Sequence, residues 1–145
     1  MKPLLFFMLL CLCTHACPVQ GRDTLNGPIA AEMVRVVDGD TLAVRALIWP
    51  GQHIDIKVRL AGIDAPELFR PRCAGERLRA KKARDFLIQR TGPQITLKAV
   101  HLGKYAGRVV ARVENDAGED LSALLLAAGL AHSMANKDGW CLQNG

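Results

Sequence analysis

The sequence has 145 residues, is 50% hydrophobic and 23% charged, and carries a net charge of +5. That length supports one domain around a single core, and that composition fits a folded protein and argues against intrinsic disorder. The modest positive charge allows a polyanionic partner without requiring one.

Residues 1–21, "MKPLLFFMLLCLCTHACPVQG", place one lysine before an unbroken apolar run from Leu4 to Cys13. The run is too short to span a bilayer and has the pattern of a secretory signal peptide, with cleavage expected after Gly21 or, as an alternative, after Ala16; an uncleaved membrane anchor is the rival reading. Export removes Cys11, Cys13 and Cys17 and leaves Cys73 and Cys141. In an oxidising compartment two cysteines suggest one disulfide, two free thiols being the alternative. There is no CxxC, and the four histidines (15, 53, 101 and 132) are scattered, so a zinc site has little support.

Residues 22–31 read as a loose leader before a domain over 32–133, with 134–145 as a C-terminal tail. Strand patterns at 32–37 and 41–48 flank an Asp38-Gly39 hairpin turn. One aspartate serves such a turn; Asp40, opening the next strand, is a second. Residues 49–52 form another turn. Over 53–62, "HIDIKVRLAG", Ile54, Ile56, Val58 and Leu60 alternate with Asp55, Lys57, Arg59 and Ala61. Pro66 and Pro71 bracket a loop, residues 74–90 read as a helix of blurred apolar periodicity, and "TGP" at 91–93 stops it. Strands follow at 94–100 and 108–114. The last helix lies in "DLSALLLAAG", capped by Asp120, ended by Gly129, with Leu121, Leu124, Leu125 and Ala128 as its stripe. A helix after the third of five short strands suits a mainly β, α+β domain: a small closed barrel of the oligonucleotide-binding type.

Arg70, Arg72, Arg77, Arg79, Lys81, Lys82, Arg84 and Arg90 face only Glu76 and Asp85 in the same stretch. Such a run is a solvated helix face or a patch for nucleic acid or a membrane surface. Other polar groups contribute little to a barrel. Taken singly, Asp40 is a turn acid, Arg59 a surface charge and Asp64 a loop cap. Taken together, Asp40, Asp64, Glu67, Arg59 and Arg108 make a coherent set. Two aspartates supply hard oxygen ligands for a divalent cation such as calcium. A glutamate beside them orients or deprotonates a water. Two arginine forks grip phosphate oxygens and spread the charge of a crowded phosphorus. Those are the parts needed for phosphodiester hydrolysis.

The motifs "VVDGDT", "VRLAGIDAPE", "GKYAGRVVARV" and "LLAAGLA" occur in that order within residues 32–132. In order and spacing the chain resembles the staphylococcal nuclease (thermonuclease) family, as an exported bacterial homologue. The resemblance implies an oligonucleotide-binding barrel and calcium-dependent cleavage of DNA and RNA to 3′-phosphate products by a monomer. It implies Asp40 and Asp64 as calcium carboxylates and the backbone carbonyl of Ala65 as a further ligand. It implies Arg59, Glu67 and Arg108 as catalytic residues, with Lys104 and Tyr105 holding a terminal phosphate. "KYAGR" carries one residue more than the family's usual KYGR, and base-stacking tyrosines beyond the second helix are absent. A Cys73–Cys141 disulfide is expected to pin the tail, where Trp140 needs a surface to cover. A non-catalytic barrel that grips nucleic acid is the rival reading.

Overall fold

The computed structural model describes residues 23–136 and 139–141, so the signal-peptide reading lies outside the described residues. β1 (Thr24–Leu25) precedes β2 (Ile29–Asp38), β3 (Thr41–Trp49) and β4 (Gln52–Leu60), then β5 (Ile63–Asp64) and α1 (Ala74–Thr91). β6 (Gln94–Leu102), β7 (Arg108–Asn115), α2 (Leu121–Ala127) and β8 (His132–Ser133) follow. β2, β3 and β4 form an antiparallel meander, β6 pairs antiparallel with both β2 and β7, and β4 pairs parallel with β7. That parallel pairing closes five strands into a barrel, which leaves little unpaired edge. β5 and β8 form a separate two-stranded ribbon beside it.

The residues expected as a loose leader are partly ordered as strand. Thr24 and Leu25 pair with His101 and Val100, and β2 begins at Ile29. A turn at Gly27 (φ 81°), followed by a cis Gly27–Pro28 bond, links them. Backbone pairing holds this stretch, and its short segments show no apolar alternation that sequence could reveal. The hairpin also differs by one residue: Asp38 pairs with Thr41, so Gly39 and Asp40 are the two turn residues and Asp40 precedes β3.

Leu42, Val44, Val58, Leu60, Leu97 and Val113 fill the barrel, and Leu87 of α1 with Leu121 and Leu125 of α2 cap it. Each such side chain contributes roughly 1.5–3 kcal/mol on burial. The alternation over 53–62 is borne out only at its inner end: β4 stops at Leu60, and Ile54 is exposed with Leu47, Ile48 and Trp49 where the β3–β4 hairpin runs past the core. α1 turns a narrow stripe of Glu76, Ala80, Ala83, Leu87 and Thr91 inward. The small residues let it approach the β2–β3 turn. A Cβ added at Gly39 would lie 2.9 Å from that of Ala83 and 3.0 Å from that of Ala65, so this turn requires glycine for space.

Candidate active site

Asp40 is carried to one mouth of the barrel by the tight β2–β3 turn and is only 5% exposed. Its Oδ1 accepts from Thr41 Oγ1 at 2.8 Å. Its Oδ2 receives Arg59 Nη1 at 2.9 Å and the Ala65 N–H at 3.4 Å. Arg59 lies opposite Thr41 in the β3–β4 ladder. Its other terminal nitrogen reaches Asp64 Oδ1, also at 2.9 Å. One guanidinium thus draws together the two aspartates.

These groups line a pocket of about 490 Å³, shared with Asp38, Ala65, Glu67, Arg70 and Arg72. Burial pushes the Asp38 carboxyl up to about 6; the Gly39 N–H opposes this, and repulsion from Asp40 and Glu67 adds to it. Burial also raises Asp40, against the pull of Arg59, and Asp64 adds to the rise. Crowded, partly desolvated carboxylates of this kind are relieved by a cation.

Glu67 sits in the loop after β5. Its Oε1 accepts from the Phe69 N–H at 3.0 Å. Its own N–H donates to Glu76 Oε1 at 3.2 Å, and the Arg72 N–H donates to Glu76 Oε2 at 2.6 Å. Buried Glu76 thus ties both parts of the loop to the first turn of α1. Sequence reading took Glu76 as one of two acids within a basic run. The signal available was its place three residues after the helix cap Cys73, where an acid reaches back to loop N–H groups.

Arg108, Lys104 and Tyr105 do not join this pocket. The Arg108 guanidinium lies 5.2 Å from the Tyr105 ring centre and Lys104 Nζ lies 5.7 Å from it. Arg108 Nε is buried without a hydrogen-bond partner among the described residues. In the parallel ladder Arg108 pairs with Lys57 while Arg59 pairs with Val110. Arg108 therefore projects from the same face as Arg59, one strand over and two residues, or about 7 Å, along it.

The tail adds Met134, Asn136, Gly139 and Trp140 to the pocket lining, a role the sequence reading did not give it. β8 sets His132 opposite Asp64. Trp140 stacks on His132 with ring centres 3.8 Å apart. Cys73 and Cys141 form the expected disulfide, with Cα atoms 6.1 Å apart.

The family model for staphylococcal nuclease homologues matches residues 57–141, more than half of the chain. The chain belongs to the staphylococcal nuclease family. Comparison with curated proteins gave no match. This staphylococcal nuclease homologue has the five-stranded oligonucleotide-binding barrel with two helices expected from its sequence. The matched span contains Arg59, Asp64, Ala65, Glu67, Lys104, Tyr105, Arg108 and both bonded cysteines. Asp40 lies before it, and the β3–β4 ladder brings it alongside. In this nuclease homologue the Asp40 and Asp64 carboxylates converge on one positive charge, 2.9 Å from each. Among the described residues no group of three or more His, Cys, Asp or Glu side chains is gathered to hold a metal ion; the two carboxylates by themselves supply hard oxygen donors of the kind a divalent cation takes.

Proposed function

We propose that the chain is a calcium-dependent phosphodiesterase that hydrolyses DNA, and RNA, to products with 3′ phosphates. The observation that carries this reading is Arg59 bridging Asp40 and Asp64 in a pocket that also presents Glu67. Asp40, Asp64 and the Ala65 carbonyl would hold the calcium, which when bound neutralises phosphate charge and draws the phosphodiester into place. Glu67, steadied by the Phe69 N–H and by Glu76, accepts a proton from the attacking water. Arg59 turns its fork to the phosphoryl oxygens and stabilises the charge that develops there. Arg108 serves as the second arginine by swinging off the Tyr105 ring along the shared face, and Lys104 with Tyr105 holds a terminal phosphate.

Arg108 lying outside the pocket favours a second reading, a barrel that binds single-stranded nucleic acid without cutting it. Incubating the purified chain with labelled single- and double-stranded DNA separates the two. Cleavage that stops with EDTA and returns with calcium supports the enzyme, and binding without cleavage supports the module. Neither binding nor cleavage would sink both. We also propose that the protein acts as a monomer after export. Mass spectrometry of the extracytoplasmic protein should find a chain beginning near residue 22, and an intact Met1 would overturn the cleaved signal.

A further inference from the structure

The pocket lining is strongly polar at Asp38, Asp40, Arg59, Asp64, Glu67 and Glu76, and it also holds the apolar side chains of Trp140 and Met134. A nucleotide combines the same two chemistries, an anionic phosphate and a flat heteroaromatic ring. Trp140 is held firmly for a residue so near the tail. The next residue, Cys141, is bonded to Cys73. The Trp140 carbonyl accepts from Arg79 Nη1 at 2.6 Å. The His132 ring backs the indole at 3.8 Å with only 12° between the planes. Trp140 Nε1 is nonetheless buried with no hydrogen-bond partner among the described residues. A buried N–H without an acceptor is costly.

We propose that Trp140 is a substrate-contacting residue, the platform for the base or sugar of the nucleotide next to the bound phosphate, set in place by the Cys73–Cys141 disulfide. The inference rests on the nuclease reading above. A rigid aromatic loses little freedom when a base stacks on it, and such stacking tolerates any sequence because every base has a π face. The tail is thereby part of the binding site, and substrate affinity depends on the oxidation state of a bond that abuts Glu76, the acceptor of the Glu67 N–H.

The chain has two tryptophans, so Trp49→Phe leaves Trp140 as the only indole. In that background, with Glu67→Gln to prevent cleavage and calcium present, a short single-stranded DNA is titrated while tryptophan emission is followed. Binding should quench the emission. Trp140→Ala, read by anisotropy of labelled DNA, should raise Kd about 10-fold, the scale of one lost base stack. With Glu67 restored, Trp140→Ala should raise KM by a similar factor and leave kcat within about twofold, while Trp140→Phe recovers most of the loss. Unmoved emission on saturation with DNA would overturn the proposal, and it reads a protein whose tail is intact even if Trp140→Ala folds poorly. An unchanged KM in a folded Trp140→Ala would overturn it too. If the unsubstituted chain neither binds nor cuts DNA, the nuclease reading falls first and takes the inference with it.

Discussion

Arg59 and Asp40 form a largely buried pair, joined at 2.9 Å with side chains 23% and 7% exposed. The arginine that would stabilise the reaction also balances the charge of the acid that would hold a cation. Replacing it therefore disturbs both catalysis and the local fold. Arg59→Lys keeps one positive charge but loses the fork that touches two aspartates at once. Hydrolysis of single-stranded DNA by this variant should fall by about 100-fold or more, the scale of losing one preorganised donor to a transition state. Thermal unfolding in EDTA should show a loss of stability as well. Near-normal turnover would remove Arg59 from the mechanism.

Glu67→Gln keeps the acceptor for the Phe69 N–H and the size of the side chain, and removes only the basic oxygen. Turnover should drop by roughly 100-fold or more, as for other lost general bases, with an unchanged melting temperature. Steady-state kinetics and a melt on the same preparation check both halves.

Arg108→Lys tests whether the arginine beyond the pocket reaches the reaction. If it swings in, the variant should match Arg59→Lys in lost turnover, because an ammonium cannot make two parallel hydrogen bonds to a phosphate. Activity like that of the unsubstituted protein would mean that the loop over 103–107 keeps it on Tyr105 throughout.

Asp38 gives a pH signature. Its carboxyl is raised from 3.8 to about 6 in the folded protein, first by burial. Between those values the folded state binds more protons than the unfolded one, so stability falls as pH rises. The contribution is whole below the unfolded value and is lost by the time pH passes the folded one. Asp38→Asn keeps the acceptor for the Gly39 N–H without the charge. In EDTA it should therefore melt higher than the parent at pH 8 and differ least near pH 4. A constant difference across that range would assign the effect to something other than titration.

The disulfide joins residues 68 apart in sequence. Closing a loop of that length is worth about 4 kcal/mol in the chain-entropy model. Cys141→Ser should lower the melting temperature by about 10 °C, measured calorimetrically in oxidising buffer. Two freely alkylated thiols in the native protein would rule the bond out in solution.

Asp40, Asp64, Glu67 and Arg59, which line one pocket, stood out in the sequence as a set and not singly, since each alone fits a bland role. Asp40 is surplus to its turn, and Asp64 and Glu67 follow a strand within a few residues. The Asp40 reading was one position off because the turn is Gly39–Asp40. Its glycine serves close packing against Ala83 and Ala65, which no local signal reports. The helix over 74–90 was found with blurred periodicity for a structural reason: its buried stripe is made of Glu76, small alanines and Thr91, with Leu87 its one large apolar member. Ile54 satisfied the alternation yet is exposed, since a period of two marks a face and not how far the core extends beneath it. The disulfide that pins the tail was expected and is present, but Trp140's place in the pocket lining was not, because a carbonyl contact and a ring stack leave no periodic trace. Arg108 lies over the ring of Tyr105, three residues earlier in the chain, a local contact that no periodic pattern reports.

The parallel join between β4 and β7 sets when the molecule becomes competent. Lys57 to Leu60 can find their partners, Arg108 to Ala111, only after α1 and β6 have been made between them. Contacts this far apart in sequence form late and together. A nascent or truncated chain that ends before Arg108 has an open sheet, no closed core and no second arginine. A cell synthesising the protein thus holds no closed barrel until the last barrel strand has left the ribosome, and a fragment released by proteolysis between these strands lacks the partner that closes β4.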